Sequence, residues 1–188
     1  MDDDVVLLTD DEVVALCAID GRPWPLGLIT VGSSPDDVTQ AGLRGVRSLL
    51  VRKLMTQSSD GARSPDPLLA REVAAFIDAT DRVAAHIAPA ADHDILAGAS
   101  VTAARTADGW LLDAATADGV HALRRLSADE AATAVVDFIE AAVGAARDGV
   151  VCVVRRGPGG QHATAVSERS AWNPDMVREA VGAKERAL

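Results

Sequence analysis

Two Asp-Gly dipeptides, Asp108-Gly109 and Asp118-Gly119, stand ten residues apart, and no other feature of the chain constrains its fold as much. Glycine reaches positive φ without a Cβ clash, and Asp-Gly suits the two-residue turns whose twist matches that of paired strands. The flanking segments 99–106, 110–116 and 120–126 are each long enough for one strand. Together they predict an antiparallel meander. In the third segment Val120, Ala122, Arg124 and Leu126 alternate with His121, Leu123 and Arg125, so one end of that strand is expected to be exposed.

Helix signals surround this run. Thr9 to Glu12 and Ser127 to Glu130 have capping-box spacing, and Asp20-Gly21 and Gly144 are plausible stops. Ser34-Pro35 and Asp66-Pro67 each place a cap before a proline at the first helical position. Leu69, Val73, Phe76 and Ile77 then form a core-facing stripe. Gly42 and Gly45 read as close packing against a neighbouring helix. Arg44, Arg47, Arg52 and Lys53 suit the dipole at the end of the same helix. Leu26 to Val31, Arg82 to Ala88, Val150 to Val154 (a central strand) and 161–167 read as strands, residues 56–66 as a loop, and Asn173-Pro174 as the start of a last helix. The expectation is one α+β domain over residues 1–188, with Ala183 to Leu188 fraying. It has an antiparallel sheet of about five to seven strands and helices packed mainly on one face.

The 188 residues are 48% apolar, enough for a buried core without a disulfide or metal. Tyrosine is absent, which excludes a site that needs a phenol. The net charge of −10 argues against nucleic acid and anionic membrane surfaces, since both are held through Lys and Arg contacts to phosphate. Met-Asp-Asp-Asp is acidic where a secretion signal would be basic, and no apolar run is long enough to span a bilayer. The expected location is the cytoplasm, with Cys17 and Cys152 as buried reduced thiols.

No catalytic constellation is legible. There is no Gly-x-Ser-x-Gly, and Gly157-Pro158-Gly159-Gly160 lacks the Lys-Ser/Thr of a phosphate loop, so it reads as a hairpin turn. His86, His93, His121 and His162 are scattered without metal-ligand spacing, and no metal or other cofactor is expected. Asp10, Asp11, Asp36 and Asp37 are explained by their places at helix starts. The candidate protein-binding residues are Trp24, set between two prolines, and Trp172, because large apolar groups left exposed tend to mark partner sites.

Leu8-Thr9-Asp10-Asp11-Glu12, Pro25-Leu26, Gly42-Leu43 to Leu49-Leu50 and Asp66-Pro67-Leu68-Leu69 resemble the first half of EspG-like proteins. These are the cytoplasmic chaperones of actinobacterial ESX (type VII) secretion. Val101 to Ala104, Trp110-Leu111-Leu112, Val120 to Leu126 and the helix through Ala131 to Val143 are similar too, and Trp172 matches a late aromatic of the family. The likeness spans residues 7–145 and rests on spaced apolar positions. It departs from the family in length: members carry a second half that repeats the first. The resemblance implies binding of a PE–PPE-type helical substrate pair, and a second copy of this chain in place of the missing half, a homodimer. It carries over no binding residue.

Two rival readings come from other classes. One is a small enzyme acting near Asp92-His93-Asp94 or Arg155-Arg156; the other is an acidic immunity-type protein that neutralises a toxin.

Overall fold

The computed structural model describes residues 5–89, 98–145, 149–157, 160–166 and 173–182. The elements run β1 (Val6–Thr9), α1 (Asp10–Asp20), α2 (Pro35–Val51), β2 (Met55–Gln57), β3 (Arg63–Pro65), α3 (Pro67–Asp78) and β4 (Arg82–Pro89). They continue with β5 (Ser100–Thr106), β6 (Gly109–Ala115), β7 (Val120–Leu126), α4 (Ala128–Ala145), β8 (Gly149–Gly157), β9 (Gly160–Val166) and α5 (Pro174–Gly182).

Seven strands form one antiparallel sheet in the order β1-β7-β6-β5-β4-β8-β9. The α+β class and the meander are as the sequence predicts. Gly119 turns the chain at φ 72° and Gly109 at φ 118°, so Thr106 pairs with Gly109 and Ala115 with His121. Both capping boxes close: Glu12 accepts from the Thr9 amide at 2.9 Å, and Glu130 accepts from the Ser127 amide at 2.9 Å. Ser34, Asp66 and Asn173 cap their helices as expected.

Some expectations are corrected. Leu26 to Val31 is not a strand, because no neighbouring chain pairs with it; it is part of the irregular α1–α2 connection. A strand does form earlier, at β1, which pairs along β7 in the register Val6–Leu123 and Leu8–His121. The 56–66 loop contains the β2–β3 hairpin, with Gly61 at φ 86°. The apolar run at Val150 lies in β8, between β4 and the last strand β9, not at the centre of the sheet. The Asp92-His93-Asp94 loop, Pro158-Gly159, Trp172 and residues 183–188 lie outside the described residues.

The helices are not gathered on one face. Val83, Ala85, Val101, Ala103, Trp110 and Leu112 point to one side and pack against α4 and α5. Ala104, Leu111, Leu123 and Leu8 point to the other and meet α1, α3 and the α1–α2 connection. Successive strand side chains alternate between faces, and both faces here are apolar, so both must be covered. Ala104 beside Ala103 and Leu111 beside Leu112 are the residues that demand it.

Between α1 and α2 the backbones touch. A Cβ on Gly45 would lie 1.9 Å from the Asp11 carbonyl oxygen, while one on Gly42 would meet Val14 at an ordinary 3.6 Å. Gly45 is therefore the close-packing glycine. At the outer edge of β1, the Leu7 carbonyl accepts from Arg52 Nη2 at 2.8 Å.

Candidate functional site

The first turn of α1 carries three adjacent acids, and each finds its own cation. Asp11 takes Arg44 in two bonds of 2.7 and 2.8 Å. Glu12, wholly buried, accepts from Arg52 at 2.6 Å and from the Ser48 hydroxyl at 2.7 Å. Asp10 faces the sheet and meets His121. The dipole reading of these acids, and of Arg44 and Arg52, was incomplete: side-chain pairs between elements hold them.

The Asp10 pair belongs to a larger cluster. Strand parity puts Asp113 on the same face as Leu111 and His121 on the same face as Leu123, diagonal neighbours across β6 and β7. His121 Nδ1 lies 3.0 and 3.1 Å from the two Asp113 oxygens, and Nε2 lies 2.8 Å from Asp10 Oδ1. The second Asp10 oxygen accepts the Thr30 amide at 2.7 Å and its hydroxyl at 2.8 Å. Asp10, Asp113 and His121 are each 1% exposed.

A neutral imidazole has one N–H, yet both nitrogens here face carboxylates, so both donate and the ring is a cation. Burial on its own pulls the imidazole pKa down. The hydrogen bonds and charges of Asp10 and Asp113 outweigh it and push the value up to about 9. Burial likewise opposes ionisation of Asp10. The His121 bond, the two Thr30 bonds and the His121 charge prevail and hold its pKa below the ordinary value. A hydroxyl, two carboxylates and an imidazole thus converge within bonding reach, which the scattered histidines did not announce. Their order is not that of a nucleophile triad. The Thr30 hydroxyl donates to Asp10 rather than to the imidazole, and a doubly bonded imidazolium has no lone pair with which to accept a proton.

This cluster anchors an open groove. Thr30 pins the connection between α1 and α2, and that connection walls a groove of about 470 Å³. Trp24, Leu26, Leu28 and Val31 contribute from the connection. Val14, Cys17 and Ala18 of α1 and Val38 of α2 complete it. Trp24 is 8% exposed, stacked on Phe76 at 4.6 Å and edge-on to His121 at 6.0 Å. It forms the base of the groove and is not an exposed knob. Arg22, the charged residue of the lining, is engaged by Asp20 and Asp78. Burial, with the Asp20 charge, pushes the Cys17 thiol up to about 12 against the opposing pull of Arg22, so it is no nucleophile at neutral pH.

Among the described residues no group of three or more His, Cys, Asp or Glu is placed to hold a metal ion, and no helix is long and apolar enough to cross a membrane. No protein-family model matches the chain, and no curated protein matches it either.

Of the two tryptophans picked from the sequence, Trp24 sits in the groove and Trp172 lies outside the described residues. Sequence reasoning missed His121, Asp113, Asp10 and Thr30. The available signal was parity: across the Asp118-Gly119 turn, Leu111-x-Asp113 and His121-x-Leu123 put an acid and a base on a core-facing side.

Proposed function

We propose that this chain is a non-enzymatic protein-binding domain of the cytoplasm, a chaperone or adaptor whose groove over Trp24 receives an apolar tip of a helical partner. The observation that carries the reading is the contrast between the two candidate features. The groove is open and apolar, and its one charged lining residue is already paired. The cluster with acid–base character is buried and fully engaged. An accessible apolar hollow with a ring system at its base suits anchor side chains at a protein interface. The resemblance to EspG-like proteins names the partner class, a PE–PPE-type pair from type VII secretion. It also suggests a second copy of this chain as the missing half.

The test mixes the purified chain with a co-expressed PE–PPE-type pair and follows complex formation by light scattering. A stable complex is expected, with Leu28→Asp or Val38→Asp weakening it at least about tenfold, one 1.4 kcal/mol step, while circular dichroism stays unchanged. No complex with the unaltered chain, or equal binding by both variants, overturns the reading. Light scattering of the chain alone reports the second copy: a monomer at micromolar concentration removes it.

A further inference from the structure

The chain from Pro25 to Gly32 lies in neither a helix nor a strand, and among the described residues it makes no backbone–backbone hydrogen bond. Its polar attachment to the described body of the protein is at one residue. Thr30 donates its amide and its hydroxyl, at 2.7 and 2.8 Å, to the same oxygen, Oδ2 of Asp10. Leu26 and Leu28 add apolar contact, but both are only half-buried. A segment with few buried contacts and no ladder or helix bonds of its own belongs to the low-stability end of a structure.

Two groups are shut away where this segment lies. Thr30 closes over the Asp10 carboxylate beside Gly119, where no Cβ would fit: one built there would meet Asp10 Oδ2 at 2.5 Å and Thr30 Cγ2 at 2.8 Å. Trp24 shares the groove wall with Leu26, Leu28 and Val31. Its Nε1 is shielded from water and has no acceptor among the described residues. A buried donor without a partner costs free energy that hydration would return, so the closed arrangement carries a penalty that an open one sheds.

We propose that residues 25–32 form a strap that opens and closes over the groove as a unit while the sheet stays folded, with Thr30 as its catch on Asp10. Closed, the strap covers the Asp10 carboxylate and keeps the Trp24 N–H from water. Open, it bares the indole, and a docking partner that gives a carbonyl oxygen to that N–H favours the open form. The catch sits on the carboxylate that also holds His121, so strap and cluster support each other. Use of the motion as a gate for a partner rests on the function proposed above; the motion itself does not.

Hydrogen exchange of the full chain, followed by NMR at increasing low concentrations of urea, tests the motion without a partner. The reporters are the Thr30 amide and the Trp24 indole N–H, identified by its loss in Trp24→Phe. The reference is the amides of the interior strand β6. Both reporters should exchange through one shared opening, at least about a hundredfold more populated than the one that frees β6 and nearly insensitive to urea. Thr30→Val keeps the amide bond and loses the hydroxyl bond, and should speed both reporters about tenfold. Ile139→Val, on α4, should speed β6 about fivefold and leave the reporters unchanged. Reporters that share the opening and urea slope of β6, or that accelerate with Ile139→Val, overturn the proposal. So does an indole that follows β6 while Thr30 opens alone, or a Thr30→Val variant in which neither reporter changes. A strap that opens in a chain that binds no helical pair leaves the motion standing and removes the function, so the two failures are told apart.

Discussion

The two faces of the sheet are built on different principles. The face under α4 and α5 is filled mostly by small aliphatic groups, among them Ala131, Ala132, Val135, Ala142 and Val181, with Leu112, Ile139 and Trp110 as larger members. On the opposite face, Arg82, His86, Thr102, Asp113 and His121 are all buried strand residues, and Asp10, Glu12 and Glu72 come down from the helices. Arg82 ties itself to α3, donating to the Phe76 and Ile77 carbonyls at 2.7 and 2.8 Å. Among the described residues, stability on the first face is spread over many weak apolar contacts. On the second it is concentrated in a few charged contacts, each dependent on its partner.

Removing His121 is the hardest blow to that contrast. His121→Leu leaves Asp10 and Asp113 buried without their cation, and breaking a buried pair in this way costs about 3–5 kcal/mol. Urea denaturation at pH 7 measures it; a loss below about 1 kcal/mol would place the cluster with ordinary surface pairs.

Next in size is the response to pH. His121 has its pKa raised from 6.5 to about 9, so its contribution is fully present below pH 6.5 and disappears as pH rises through about 9. The gap corresponds to about 3 kcal/mol. Asp10 works in the opposite sense: its pKa is lowered from 3.8, so its contribution is present above that value and is lost as pH falls further. The unaltered chain should therefore show falling stability between pH 6.5 and 9, and His121→Leu should lack that fall. An identical pH profile for the two proteins would contradict the assignment.

Gly45→Ala comes third. Its Cβ would sit 1.9 Å from the Asp11 carbonyl oxygen, so α1 and α2 must separate, at about 1–3 kcal/mol. Gly42→Ala, whose Cβ would meet Val14 at an ordinary contact distance of 3.6 Å, serves as the tolerated control. The smallest change comes from the aliphatic face: Ile139→Val should cost about 1 kcal/mol and leave the pH profile of the unaltered chain in place. A change in that profile would mean that the two faces are not independent.

What could be read from the sequence was local. Caps act over three residues and turns over two, so Thr9, Ser127, Asp108-Gly109 and Asp118-Gly119 announced their elements directly. Leu26 to Val31 misled because strand character alone cannot supply a pairing partner. The one-sided arrangement of helices failed because Leu111-Leu112 and Ala103-Ala104 feed opposite faces, and pairing is needed to show it. Asp10 and His121 are 111 residues apart, so each was fully explained by its own neighbourhood until the sheet joined them. Trp24 was singled out as a ring held between prolines. That it forms the base of a groove depends on Phe76 and His121, contributed by distant elements.

The Arg52 guanidinium, shared between Glu12 and the Leu7 carbonyl, has a consequence for how the molecule meets copies of itself. A strand from another chain drawing alongside Val6–Thr9 would have to displace that side chain before making its first backbone bond there. It would also find the Thr9 amide already committed to Glu12. At this margin, then, the Arg52 and Glu12 side chains together occupy backbone groups that a docking strand would need, and the edge is blunted against pairing with another molecule.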